Sequence, residues 1–219
     1  MLTQLKPCFS TAEQKLISSL DSPGKIQSFI DREIEYDPDR EDRSVKEVVT
    51  DRKAECYNGA LFATLCLLNQ GVKASILEIL ARKDEEHILC VYEDHGKFGA
   101  IAQSKFLGLK NRNPMYDTIR DLVVSYKEFY FAFDGRFSLD SYTNPISLGK
   151  YDMKWVYDSM TVVRMARDLC QSKHFLVTKG SGDSAYYVSG ERYWREVLVI
   201  PEGTKIPKKY LSAKPKNRW

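Results

Sequence analysis

The chain has 219 residues, of which 43% are hydrophobic and 29% charged, as in an ordinary soluble globular protein. No run approaches the roughly 18 apolar residues that span a bilayer, which argues against a membrane protein. The net charge of +3 is too small to imply nucleic-acid binding by itself. The length allows a sizeable core in one large domain or two small ones.

Three helices are predicted before the first motif. Apolar residues at helical spacing predict helices over 11–20, 24–33 and 45–50. Each follows a serine suited to cap it, namely Ser10, Ser22 and Ser44.

A fourth helix is predicted to begin at Cys56. Residues 60–68 are apolar on almost every side, and Gly71 supplies a stop. A helix of this kind belongs in the middle of a domain. Free N–H groups and the helix dipole at its start favour a thiolate, so we expect a lowered pKa for the Cys56 thiol.

A buried strand headed by His87 supplies a partner for this thiol. The predicted strands are 72–80, 88–92 and 97–102, with a tight turn at 93–96 between the last two. Of the three histidines, His95 falls in that turn, where we expect it to be exposed. His174 follows a helix and is expected to interact with its C-terminus. His87 is therefore the predicted base for Cys56.

The second half of the chain is predicted to mix helices and strands. Pro114 is expected to open a helix that runs to about Phe131, and a second helix covers 155–170. Between them, residues 137–149 are predicted to be irregular. Three strands then follow, at 175–178, 185–188 and 193–200.

These elements predict an α+β fold in which the Cys-bearing central helix packs on an antiparallel sheet. Flanking helices and a β-rich C-terminal segment complete it. We predict a single domain over 1–204 and a basic tail over 205–219. Within the domain, the expected parts are N-terminal helices at 11–50, a core at 51–110 and an extension at 111–204.

The order of these elements resembles the transglutaminase-like superfamily, within the papain-like group of cysteine enzymes. There the nucleophilic Cys begins a central helix, and a His and an Asp lie on neighbouring antiparallel strands. A closer resemblance, over roughly residues 25–200, is to a family of uncharacterised transglutaminase-like proteins. The segments that carry it are 56–63, 87–89, 98–102, 114–122 and 125–130.

The resemblance implies that Cys56 is the nucleophile and His87 its base. The third residue of the superfamily pattern, an Asp, falls at Ala102, or at Gln103 or Ser104 if the register slips. Either polar side chain could orient the imidazole, although neither could neutralise its charge. An acidic residue at 84–86 is an alternative source of charge, since it would raise the pKa of His87.

The cysteine pattern predicts free thiols and no metal site. The five cysteines are odd in number and include no Cys-x-x-Cys pair. Cys90 and His87 lie three apart on a strand, so their side chains leave opposite faces. No cofactor is implied. Residues 1–6 lack the apolar stretch of a secretion signal, which favours a cytoplasmic location.

A Cys–His pair of this kind attacks an amide or ester carbonyl. Transfer of the acyl group to water gives a peptidase or amidase, and transfer to an amine gives a transglutaminase-like acyltransferase. The expected substrate is a protein or peptide-like molecule. A second reading is a binding module that kept the fold without the third triad residue. A third is a nucleic-acid accessory protein that acts through its basic tail.

Overall fold

The computed structural model of the chain describes residues 8–82, 84–130 and 137–177. These residues form a mixed α+β structure with six α-helices and a six-stranded antiparallel sheet. No helix in these ranges is long and apolar enough to cross a membrane. The strands predicted at 185–188 and 193–200, and the tail at 205–219, lie outside the described residues.

The three predicted N-terminal helices are confirmed as α1 (Thr11–Ser19), α2 (Pro23–Glu33) and α3 (Val45–Asp51). Each begins after the serine predicted to cap it, and the serine hydroxyl accepts a hydrogen bond from a backbone N–H three residues later. The short parallel strands β1 (Glu35–Tyr36) and β2 (Lys53–Ala54) pair. They bring the end of α2 beside the residues that lead to Cys56.

Helix α4 (Cys56–Asn69) is the central helix, as predicted. Every residue from 57 to 67 is buried, because the helix packs on the sheet with one side and is covered by α1, α2 and α3 on the others. The chain leaves the helix through Gly71, whose φ of +77° lies in the left-handed region that glycine adopts without strain.

The six-stranded sheet has the order β6-β5-β4-β3-β7-β8, and all of its neighbouring strands are antiparallel. The predicted hairpin is confirmed, with its turn at His95 and Gly96, both of which have positive φ. The strands are β3 (Ala74–Ala81), β4 (His87–Asp94), β5 (Lys97–Ile101), β6 (Arg112–Tyr116), β7 (Leu139–Thr143) and β8 (His174–Leu176).

Each face of the sheet covers its own core. On β4, Ile88 and Cys90 belong to the first core, which contains α4 and the N-terminal helices. Leu89 and Val91 belong to the second core, which includes Tyr126. Alternate residues of a strand point to opposite faces, so the parity of a residue on β4 decides which core its side chain enters.

The helix predicted from Pro114 to Phe131 is wrong at its start. Pro114 lies in β6, an edge strand, where a residue without an N–H is tolerated because one side of the strand has no partner. The helix α5 covers only Ile119–Val124. It begins after Thr118, whose hydroxyl accepts a hydrogen bond from Asp121 N at 3.1 Å.

The prediction of irregular structure at 137–149 is also wrong, since β7 lies inside the sheet between β3 and β8. Its buried residues include Ser141 and Thr143, so it lacks the apolar alternation that marks a strand. The Thr143 hydroxyl accepts a hydrogen bond from Glu78 N at 3.1 Å, which explains why a polar residue is buried there. The last helix, α6 (Ser159–Cys170), starts later than predicted, after Asp158.

The packing of α4 against the residues after β5 predicts a cost for Gly59→Ala. A Cβ at Gly59 would lie 2.4 Å from Gln103 Cβ, so the helix or the strand end must shift. We expect urea denaturation to show a loss of about 1–3 kcal/mol in the free energy of unfolding. The matched control is Gly24→Ala in α2, where nothing lies within 4 Å of the added Cβ. An equal effect of both substitutions would contradict this packing.

Candidate active site

Cys56 is the first residue of α4 and is half-buried at the edge of the first core. The residue before it, Glu55, caps the helix from a buried position. Its Oε2 accepts a hydrogen bond from Tyr57 N at 2.7 Å, and its Oε1 accepts one from Asn58 N at 2.8 Å. The positive end of the helix is therefore already matched by a carboxylate.

The Cys56 thiol has a pKa well above its ordinary value, which contradicts the lowered pKa predicted from the sequence. Burial is the largest cause. The charge of Glu55 and a hydrogen bond that its carboxylate accepts from the thiol raise the pKa further, as does the charge of Glu86. The nearby backbone N–H of Ile88 favours the thiolate and offsets only part of this rise in pKa. Cys56 is thus a protonated thiol at neutral pH.

Glu55 is itself a perturbed group. Burial raises the pKa of its carboxyl, and hydrogen bonds from the Cys56 thiol and from two backbone N–H groups oppose that rise. A buried carboxylate needs such donors, because an unpaired charge inside a protein is costly.

His87 lies at the start of β4, as predicted, but its ring faces the second core. Its cross-strand partner Ile79 belongs to that core. The ring centroid lies 6.4 Å from that of Tyr126, edge-on, and 6.5 Å from that of Tyr130. The ring nitrogen Nε2 lies 2.7 Å from the carbonyl oxygen of Leu109. Since a carbonyl oxygen only accepts, Nε2 carries the hydrogen and Nδ1 carries the lone pair.

Burial lowers the pKa of His87 to about 4, although the bond to Leu109 raises it in part. The nearby charge of Arg112 lowers it further. The alternative that an acidic residue at 84–86 raises this pKa is therefore contradicted. The charge of Glu86 acts instead on Cys56 and on Tyr130.

The structure brings Cys56 and His87 to the same end of β4 without joining their side chains. The peptide N–H that follows His87, that of Ile88, lies near the Cys56 sulfur and lowers the pKa of the thiol in part. Tyr130 lies beside the His87 ring, and the charge of a Cys56 thiolate would raise the pKa of its hydroxyl, which burial already raises. Within the described ranges, no hydrogen bond links the sulfur to the imidazole.

The two residues predicted to orient the ring make hydrogen bonds to other groups. The Gln103 side chain packs on Gly59 of α4, and its Nε2 donates to Ile34 O at 3.2 Å. The Ser104 hydroxyl accepts a hydrogen bond from Phe106 N at 3.1 Å. At the ring, the partner of Nε2 is Leu109 O. Sequence reasoning missed it because a backbone carbonyl has no residue signature.

His174 does not interact with a helix end as predicted. Its Nε2 lies 2.8 Å from Oε2 of Glu78, a buried carboxylate in the middle of β3. The other oxygen of Glu78 lies 3.9 Å from the sulfur of Cys170. His95 is exposed in its turn, as expected. Across the described parts of the chain, no three His, Cys, Asp or Glu side chains are grouped to hold a metal ion.

No protein-family model matches the chain, and neither does any curated protein. Among solved structures, the chain is similar to an EGTA-treated LapG of Legionella pneumophila, with 15% sequence identity. The match covers 71% of this chain and 87% of that one, at a TM-score of 0.39. A TM-score below 0.5 does not establish a shared fold, so the transglutaminase-like core stays a prediction.

The contact between Glu55 and Cys56 predicts a faster reaction of the thiol in Glu55→Gln. Removing the negative charge lowers the pKa of Cys56, so more thiolate is present at pH 8. We expect iodoacetamide to alkylate Cys56 about 3- to 10-fold faster, because its rate follows the fraction of thiolate. The measurement uses a Cys8→Ser, Cys170→Ser background and peptide mass spectrometry. An unchanged or slower rate would contradict the role given to the carboxylate.

The lowered pKa of His87 predicts an acid-dependent loss of stability. Between pH 6.5 and about 4, the unfolded chain binds a proton at His87 that the folded chain does not. The free energy of unfolding is therefore highest above pH 6.5 and falls as the pH drops through this window, by on the order of 3 kcal/mol.

Urea denaturation between pH 7 and 4.5 measures this loss. In His87→Gln, whose amide retains a donor for Leu109 O, the pH dependence should be flatter than in the wild type. His95→Gln, at the exposed turn, should leave the curve unchanged. Identical curves for the wild type and His87→Gln would show that the ring is not held neutral by burial.

Proposed function

We propose that this protein is a cysteine-dependent amide hydrolase or acyltransferase, with Cys56 as nucleophile and His87 as base, acting on a protein or peptide-like substrate. The observation that carries the proposal is the position of Cys56, which begins α4 and packs against the core that contains Ile88, the residue after His87. The Ile88 N–H lies near enough to the sulfur to favour its thiolate form.

The protonation states favour a general-base mechanism. With the thiol pKa raised and the imidazole pKa lowered to about 4, both groups are neutral at pH 7. The proton of the thiol therefore moves to Nδ1 of His87 while the sulfur attacks the carbonyl carbon, rather than before it. Because the ring faces the second core while Cys56 packs on the first, this step requires substrate binding to bring the sulfur and Nδ1 within hydrogen-bond distance.

The rest of the reaction follows from this first transfer. The carbonyl oxygen becomes an oxyanion, and the imidazolium returns its proton to the nitrogen that leaves as an amine. The acyl group stays on the sulfur as a thioester until water or an amine attacks it. Since Glu55 occupies the N–H groups of Tyr57 and Asn58, the N–H of Cys56 is the helix-start donor that serves the oxyanion.

Turnover assays on Cys56 and His87 variants test this proposal. The assays are release of a fluorophore from a library of quenched peptides and capture of a biotinylated amine. We expect Cys56→Ala to lose both signals and His87→Ala to lower them by about 10²- to 10⁴-fold. The control Cys170→Ser should keep wild-type rates. Unchanged turnover in Cys56→Ala would overturn the proposal.

The capping carboxylate favours a second candidate, the binding module. The Cys56 thiol donates to a buried carboxylate, and N–H groups at the start of its helix are already bonded. This arrangement suits a protein that binds a partner without catalysing a reaction. This candidate gains if the wild type shows no turnover while Ala102→Asp, which supplies the acid of the superfamily pattern, creates it. Wild-type turnover that depends on Cys56 would defeat it. Roles for Gln103 and Ser104 in catalysis stay predictions.

A further inference from the structure

We propose that Lys110 is a positioning residue for His87. In this proposal, Lys110 fixes the peptide unit between Leu109 and itself, and the Leu109 carbonyl takes the place of the missing triad acid. The catalytic consequence rests on the proposed function, whereas the positioning itself does not.

Two hydrogen bonds and a ring contact hold the peptide beside the imidazole. The Leu109 carbonyl accepts from Nε2 of His87 at 2.7 Å, and the next carbonyl, that of Lys110, accepts from the Tyr126 hydroxyl at 2.8 Å. Tyr126 also makes the edge-on contact with the His87 ring. The ring, the tyrosine and two successive carbonyls therefore form one packed unit.

The Lys110 side chain anchors this unit to α2. Lys110 is only 1% exposed, and its Nζ lies 2.5 Å from Oδ1 of Asp31. An ammonium group is rarely buried to this extent, because its desolvation is costly unless a carboxylate faces it. A lysine that served only solubility would lie on the surface. The burial of Lys110 therefore indicates a structural role at this position.

The same carboxylate connects Lys110 to the end of β5. Asp31 Oδ1 also accepts from Nε2 of Gln27 at 3.0 Å. Gln27 in turn bonds both to the carbonyl of Ala102, at 2.9 Å, and to its N–H, at 3.1 Å. Helix α2 thus fixes two parts of the chain. One is the end of β5, where the superfamily pattern has its acid. The other is the turn that supplies the Leu109 carbonyl in place of that acid.

A carbonyl and a carboxylate would act differently on the ring. Both accept the Nε2 hydrogen and so leave Nδ1 as the basic nitrogen. Only a carboxylate carries a charge that stabilises the imidazolium. A ring held by a carbonyl keeps one tautomer and stays a weak base.

Nitrogen NMR of the histidines tests the positioning directly. The chain has only three histidines, so the ¹⁵N-labelled rings can be assigned one by one. The wild-type His87 ring should be a single neutral tautomer with the hydrogen on Nε2. In Lys110→Met, we expect a mixture of the two neutral tautomers, because the Leu109 carbonyl is no longer fixed. The matched control is Lys97→Met, which removes an exposed lysine paired with Asp117.

A second variant keeps the test decisive if Lys110→Met does not fold. Asp31→Asn retains the lysine and removes the charge that orders it, at a side chain that is 29% exposed. It should give the same mixed tautomers. A folded Lys110→Met or Asp31→Asn protein whose His87 stays entirely in the Nε2–H form would overturn the inference.

Kinetics separate this inference from the proposed function. If the wild type turns over peptides, Lys110→Met should lower kcat by about 10- to 100-fold with little change in KM, as supporting groups around a catalytic residue do. Mixed tautomers in a protein without any turnover would sink the proposed function and leave the positioning role standing. Full turnover with mixed tautomers would refute the catalytic consequence.

Discussion

The hydrogen-bonded contact between the buried carboxylate of Glu55 and the start of α4 governs the chemistry of this site. A helix that is buried on every side has no water to satisfy its first N–H groups, so another acceptor must be supplied. Glu55 supplies it with two carboxylate oxygens. The same carboxylate accepts the thiol hydrogen of Cys56, and its charge disfavours the thiolate. The feature that stabilises the central helix therefore adds to burial, the largest cause, in keeping the candidate nucleophile protonated.

The imidazole of His87, like the thiol of Cys56, is held in its neutral form. His87 is buried against aromatic rings of the second core, and its partner at Nε2 is an uncharged carbonyl. Both groups are neutral at pH 7, which distinguishes the site from one with a preformed thiolate–imidazolium pair. In the proposed reaction, attack on a carbonyl needs proton transfer in the same step, and its rate would depend on how closely substrate binding brings the two side chains together.

Local signals in the sequence predicted much of the fold. Serine caps located three helices, the apolar run after Cys56 located the central helix, and the hairpin turn located β4 and β5. Long-range contacts explain the failures. Strand β7 contains a buried hydroxyl group that is satisfied by a bond to another strand, so its sequence lacks the usual apolar pattern. Pro114 has the pattern of a helix start, although its segment pairs with β5. At the site, sequence and resemblance indicated Cys56 and His87. They missed the capping role of Glu55, which is not among the residues that usually cap helices, and the Leu109 carbonyl, which no side chain marks.

The most direct test is the ultraviolet titration of the Cys56 thiol in the folded protein. Thiolate absorbance near 240 nm would be followed in the Cys8→Ser, Cys170→Ser variant, and the absorbance of the same variant carrying Cys56→Ser would be subtracted from it. Cys66 and Cys90 are fully buried and cancel in the difference. The predicted result is no thiolate signal from Cys56 up to pH 9. A thiol that is half ionised below pH 8 would show that the helix dipole outweighs both burial and the Glu55 carboxylate.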